Sequence, residues 1–426
     1  MKHLVAAAAL ALALPAVASA QVASPAMEQA SVSRASQIEQ VLRGALPAEE
    51  VFSKDFLDAV PASALRALMA RLVEAHGPIV TIDDVTYKGN GAAQFDLVFA
   101  KGRAVSTLQL DGAAPHKVAG FVIGNVTPLE DTPRKVLEEI AALPGQAAIG
   151  AYLLTQDGPQ PVYTQNSDRQ LAVGSTFKLY VLAALAKEIK AGKREWADVV
   201  VLDAASIPSG QMQDWPVGAP VTLHTLATMM ISISDNTATD VLMRVLGREV
   251  VEAEVLATHS DPTITLPLFT TVEFFALKHD PARIAAYQAA DEAGQRALLE
   301  QWAPTLTAQN ANLASLIAAG PTAIDSIEWF ASSHDIARIL ARLRDLGDQQ
   351  ALDILGITPV IGDEAAWDYV GYKGGSETGV LNLSWLLKDR QGRWFAVSAS
   401  WNDPSARVDD GRLVFLAQRL IGMLQQ

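Results

Sequence analysis

Within Gly174-Ser175-Thr176-Phe177-Lys178, a serine and a lysine stand three residues apart. They open the amphipathic stretch Phe177 to Lys190, which reads as a helix. Positions i and i+3 share a helix face, so Lys178 can lie against the Ser175 hydroxyl. A serine hydroxyl is a poor nucleophile until a neighbouring base takes its proton, and a partly desolvated lysine can be that base. The helix start adds unpaired N–H groups and a positive dipole end, both suited to a developing oxyanion. Ser-x-x-Lys also arises by chance about once in a chain this long at average composition. An N-capping serine beside a surface lysine is therefore the plainer alternative.

Two further groups add to the set. Ser234-Asp235-Asn236 falls between two helical stretches, Leu223 to Ile233 and Ala238 to Leu246. A loop there can present one hydroxyl and one amide inward while the aspartate braces the backbone; an ordinary interhelix turn is the alternative. Lys373-Gly374-Gly375-Ser376 precedes the strand-like run Val380 to Leu387. Glycines let a ligand approach the strand backbone, and a lysine there can hold an anionic group; a plain hairpin turn is the alternative. Other chemistries find less support. No Gly-x-Ser-x-Gly elbow occurs, and the seven histidines form no close ligand pair, so no metal and no cofactor is expected.

The elements that must position these residues fall into two domains. A chain of 426 residues exceeds one ordinary core, and 50% hydrophobic residues with 19% charged argue against disorder. Lys and Arg total 33 against 47 Asp and Glu, a net charge of −14 that argues against nucleic-acid binding. Without cysteine there are no disulfides, thiolate nucleophiles or thiolate metal sites. Residues 1–20 read as a signal peptide, with an apolar run from Leu4 to Val17 and a small-residue site at Ala18-Ser19-Ala20. Export to the periplasm or outside the cell follows, with no membrane span after processing. Residues 21–35 read as a linker. Residues 36–130 read as a small α+β domain, with helical stretches followed by an antiparallel meander from Ile79 to Val126. Its Asp83, Asp84, Tyr87 and Asp96 could line a pocket or form a solvated strand edge. Residues 136–426 form the second domain, whose strands at both ends imply one sheet built from its two termini.

Taken in order, Ser-x-x-Lys, Ser-Asp-Asn and Lys-Gly-Gly-Ser resemble the signature of class A β-lactamases and penicillin-binding proteins. Leu171 to Lys178 and Asp240-Val241-Leu242 leading to Leu246-Gly247 are similar to that family too, and the resemblance spans Ala147 to Gln426. It implies an α+β fold, an antiparallel sheet with helices on both faces plus a helical subdomain. The leading domain is similar in architecture to cystatin-like or nuclear-transport-factor-like domains. Carried onto this sequence, the family's roles make Ser175 the acylated nucleophile and Lys178 its base partner. Ser234 would pass a proton to the leaving group, Asn236 would bind substrate, and Lys373 would hold its acidic group and tune Ser234. The N–H groups of Ser175 and Ser376 would form the oxyanion hole, and Trp215 would gate the cleft or sit on a surface turn.

Departures from the family are equally specific. Its Glu-x-x-Leu-Asn motif, which activates the deacylating water, is missing, and a gapless count puts Thr270 at the glutamate's place. Glu273 is a possible deacylation base; a first-turn glutamate on a capped helix is the alternative. Gly374 replaces a hydroxyl residue, Val380 to Leu387 has no arginine, and Asp280 to Pro321 is extra chain that could lid or reshape the pocket. The expected function is an exported serine hydrolase acting on a lactam, amide or ester of a small-molecule acyl substrate. The alternatives are an esterase or peptidase with poor β-lactam turnover and a non-catalytic cell-wall-binding or β-lactam-binding module.

Overall fold

A computed structural model describes residues 25–203, 210–308, 313–362 and 364–425, so the expected export signal lies outside the described residues. Two compact units divide at residues 132 and 133. In the first, helices α1 (Pro25–Leu42), α2 (Ala48–Val51), α3 (Lys54–Ala59) and α4 (Ala62–His76) precede four strands. These are β1 (Ile79–Gly89), β2 (Ala92–Phe99), β3 (Gly102–Leu110) and β4 (Val118–Pro128), an antiparallel meander in sequence order. The reading of residues 21–35 as a linker is corrected by α1, which is helical from Pro25. Small polar residues mask its pattern, yet Ala35, Ile38 and Val41 are buried in one cluster with Phe95, Leu97 and Phe99. Asp96 pairs with Arg103 at 2.9 Å, and the Tyr87 hydroxyl accepts from Gly91 N at 3.1 Å across the β1–β2 turn. Asp84 is exposed, so these groups serve the sheet and its turn.

The second unit opens with α5 (Pro133–Ala141) and the hairpin β5 (Gln146–Thr155) and β6 (Gly158–Gln165). It ends with β11 (Tyr369–Glu377), β12 (Val380–Lys388), β13 (Trp394–Asn402) and α16 (Asp410–Gly422). The sheet runs β11-β12-β13-β5-β6, all antiparallel, joining the unit's two ends as the sequence predicts. One face buries Ile149, Leu383, Trp385, Val397 and Trp401 against Val136 and Ile140 of α5 and Leu413 and Leu416 of α16. The other carries Tyr152, Leu386 and Ala396 into a larger core with α6 (Lys178–Lys190) and α14 (Ser333–Leu346).

Between them lies the helical part: α7 (Leu223–Ser232), α8 (Asn236–Leu246), α9 (Arg248–Thr258), α10 (Thr271–Lys278), α11 (Pro281–Gln288), α12 (Glu292–Trp302) and α13 (Leu313–Ala319). The short pairs β7 (Leu171–Ala172) with β10 (Phe330–Ala331) and β8 (Val199–Val201) with β9 (Pro220–Thr222) pin its loops, and α15 (Gln349–Leu355) leads back to β11. The extra stretch Asp280 to Pro321 holds α11 to α13. Among the described residues no helix is long and apolar enough to cross a membrane.

Candidate functional site

Ser175 sits in a tight helical turn, Gly174–Phe177, that runs directly into α6. Lys178 is the first residue of α6 and is fully buried. Its Nζ donates to the Ser234 carbonyl at 2.7 Å and to Asn236 Oδ1 at 2.8 Å, and the Ser234 hydroxyl stands 3.2 Å away. Burial, reinforced by the charge of Lys373, holds this lysine well below its ordinary pKa against the opposing pull of Asp240 and Asp235. Its two short bonds use two N–H groups, and a lysine that had lost its third proton would keep a lone pair to take one up.

Ser234 lies in the loop between α7 and α8 with φ +59°, a left-handed conformation that is uncommon and strained for a residue with a Cβ. The neighbouring aspartate holds it there. Asp235 caps α8 by accepting from Ala238 N at 2.9 Å, and its other oxygen accepts from Gln211 N and Met212 N, both at 2.7 Å. The Ser234 hydroxyl thus lies 3.2 Å from both Lys178 Nζ and Lys373 Nζ. Lys373, buried on β11, also donates to the Gly374 carbonyl, and burial pushes its pKa down to about 7.

β11 meets the nucleophile through Gly375. A Cβ on Gly375 would fall 2.1 Å from Val173 O and 2.4 Å from Ser175 N, so only glycine permits this approach. A Cβ on Gly174 would in turn lie 3.1 Å from Ser376 N. The N–H groups of Ser175 and Ser376 are therefore carried by adjoining backbone, the placement a two-donor oxyanion hole needs. Ser175 and Ser376 line two cavities, one on each side. One, about 370 Å³, takes in Ser234, Tyr372, Lys373 and Gly374; the other, about 360 Å³, takes in Asn236, Phe275, Lys278, Glu377 and α13. The extra stretch therefore shapes the second cavity through Leu313, Leu316 and Ile317.

A model of the β-lactamase enzyme family matches residues 132–356, more than half of the chain. The chain belongs to the β-lactamase family. The match takes in Ser175, Lys178 and Ser234 to Asn236 and ends before β11. Among solved structures the chain is similar to a β-lactamase from Sphaerobacter thermophilus, at 19% identity and TM-score 0.47, over 69% of this chain and 95% of that one. A β-lactamase from Chitinophaga pinensis is similar at 17% identity and TM-score 0.48, over 69% and 98%. The protein titled PBP-A is similar at 17% identity and TM-score 0.44, over 70% and 96%. No curated protein matches the chain.

Set against the β-lactamase pattern, Glu273 is occupied elsewhere. Its Oε2 accepts from Thr270 N at 2.8 Å in a reciprocal cap of α10, and Oε1 accepts from Arg248 at 2.5 Å. It lines a cavity with Arg248 and Arg296, and neither cavity that Ser175 lines includes it. Thr270 is the N-cap residue of that helix, so the gapless count also places no carboxylate beside the nucleophile. Glu273→Ala should lower stability by about 1–2 kcal/mol through the lost cap and ion pair, read from the urea midpoint. Acylation of Ser175 should survive it.

Gly374 has a local cause. A Cβ there would come 2.3 Å from the Tyr372 hydroxyl, so the tyrosine fills the space a hydroxyl residue would need. Arg407, contributed by the chain before α16, lines the α13-side cavity that also holds Lys278. Trp215 is 37% exposed after the turn Met212–Asp214 and lines neither cavity.

Sequence reasoning missed the support under the nucleophile. Thr176 Oγ1 donates to Asn382 Oδ1 at 2.7 Å, and Asn382 Nδ2 donates to Ser400 Oγ at 2.8 Å and Ser398 Oγ at 3.2 Å. Ser384 Oγ donates to Asn382 Oδ1 at 2.7 Å, closing a buried network across β12 and β13. The signal was present as polar residues two apart within apolar strands. Asp240, read in the sequence only as part of a family-like run, accepts from Thr271 N at 2.7 Å and Val272 N at 3.1 Å and so ties α8 to the start of α10.

Proposed function

We propose that this protein is an exported serine acyl-hydrolase that forms an acyl-enzyme on Ser175. The observation that carries the reading is the buried Lys178, its pKa held well below the usual lysine value, three residues beyond Ser175, with Ser234 held between it and Lys373. The Ser175 proton passes to Lys178 Nζ as Oγ attacks the carbonyl carbon, and the oxyanion forms at the Ser175 and Ser376 N–H groups. Ser234 then gives its proton to the departing nitrogen or oxygen and is reprotonated from the adjoining lysines. Water releases the acyl group as a carboxylic acid. The direct Ser175–Lys178 contact belongs to the substrate complex, since such bonds often tighten only there.

One observation bears on the substrate class. With Glu273 committed to its cap and Gly374 crowded by Tyr372, the family's own water-activating group and one carboxylate-binding hydroxyl are both missing. This favours esters or peptide-like amides over rapid β-lactam turnover. Intact mass after incubation with a penicillin, and separately with an aryl ester, followed by tryptic mapping, tests the reading. The expected adduct lies on the peptide Gln170–Lys178. No adduct together with no ester turnover would leave a binding module instead.

A further inference from the structure

The acyl-enzyme needs a base for its water, and the family's place for one holds Thr270. On a strand, residues two apart share a face. The face of β11 that Gly375 presses against the Ser175 turn therefore also carries Lys373 on one side and Glu377 on the other. Each lies about 7 Å along the strand from Gly375. Lys373 and Ser234 serve the cavity where the leaving group collects its proton. Glu377 lines the opposite cavity with Ser175 and Asn236, where the acyl portion must then lie.

Glu377 is also held in place. Lys278, from the last turn of α10, donates to Glu377 Oε1 at 2.5 Å and to Glu328 Oε1 at 3.3 Å, and its Nζ stands 4.3 Å from the Phe274 ring centre. Lys278 and Glu328 are buried, whereas the Glu377 side chain keeps 17% of its surface open. Burial and the nearby Glu377 push the Glu328 acid well above the usual carboxylate range. Glu377, bonded to Lys278, is the carboxyl group of this cluster that opens to the cavity. Ser175 and Glu377 line one cavity of about 360 Å³, large enough to hold water.

We propose that Glu377 is the general base that delivers water to the acyl group on Ser175. This rests on the acyl-enzyme reading above. The Glu377 carboxylate takes one proton from water, and the water oxygen bonds to the acyl carbon. The bond from that carbon to Ser175 Oγ then breaks, Oγ takes up the proton that Glu377 received from the water, and a carboxylic acid leaves, so that Glu377 is again a carboxylate.

Stopped-flow hydrolysis of p-nitrophenyl acetate, with intact mass at each time, separates the two steps in wild type, Glu377→Gln and Glu377→Asp. Glu377→Gln should give a full burst of one nitrophenolate per site and a deacylation rate lower by about 10²–10⁴-fold, with acetyl-enzyme accumulating. Glu377→Asp, which keeps the charge on Lys278, should acylate normally and deacylate at an intermediate rate. Equal adduct lifetimes in all three proteins would overturn the assignment to Glu377 and leave the acyl-enzyme intact. Loss of the burst from Glu377→Gln and Glu377→Asp alone would overturn it too, by placing Glu377 in acylation. No burst and no adduct in wild type would remove the acyl-enzyme, and this proposal with it.

Discussion

Lys178→Met should slow acylation of Ser175 by about 10³–10⁴-fold while the protein stays folded. Methionine nearly matches the volume of the buried lysine stem but offers no lone pair, so Ser175 loses its proton acceptor. The other nearby base is Lys373, which reaches the Ser234 hydroxyl at 3.2 Å and lies across the site from α6. It therefore cannot take over without rebuilding the loop that Asp235 braces through Ala238 N, Gln211 N and Met212 N. Burst kinetics with a chromogenic cephalosporin or an aryl ester measure the effect, and an unchanged burst rate would remove Lys178 from the mechanism. Stability gives a second readout. With the folded-state pKa of Lys178 depressed, the unfolded chain binds the extra proton between that lowered value and 10.5. Wild-type stability therefore gains from this residue as pH rises through that window. Lys178→Met lacks the gain, so urea midpoints between pH 7 and 9 should rise less steeply in the variant than in wild type.

What was legible in the sequence follows the range of the forces involved. The caps and turns are local. Asp235 is the N-cap of α8, and Thr270 with Glu273 is a reciprocal cap that a Thr-x-x-Glu spacing announces. The apolar periodicity of α6 and of β12 with β13 was strong enough to place Ser175 at a helix start and Lys373 on a strand. The sheet joining both ends of the second unit could be inferred because its strands lack partners anywhere nearer. By contrast, Asn382 reaches Thr176 across 206 residues and Lys278 reaches Glu377 across 99, and no local pattern couples such pairs. The start of α1 was hidden for a different reason. Its alanines and serines are too small to write an amphipathic pattern, and only packing against the β2 aromatics reveals the buried side.

Gly375→Ala should cost about 10²–10³-fold in acylation, the price of an oxyanion-hole donor, and about 1–3 kcal/mol in stability. The added Cβ would meet Val173 O at 2.1 Å, Ser175 N at 2.4 Å and Thr176 N at 2.6 Å. All three are backbone atoms, so no side-chain rotation relieves the clash. The turn beneath is anchored by Thr176 to Asn382 in the middle of β12, and Phe177 is stacked on Trp329 with ring centres 4.0 Å apart. Among the described residues β11 is an edge strand, paired with β12 alone, so it is the element that gives way. Its displacement carries Ser376 N away from Ser175 and moves Lys373 and Glu377 on the same face. The sheet face packed on α5 and α16 does not include the residues of this clash, which is why the protein should remain folded with a lower unfolding midpoint. Gly374→Ala provides the contrast. Its added carbon meets the end of the Tyr372 side chain at 2.3 Å rather than the nucleophile's backbone, so acylation should fall far less. Equal losses from both variants in burst kinetics would show that β11 tolerates no bulk at either glycine and would break the link between Gly375 and the oxyanion hole.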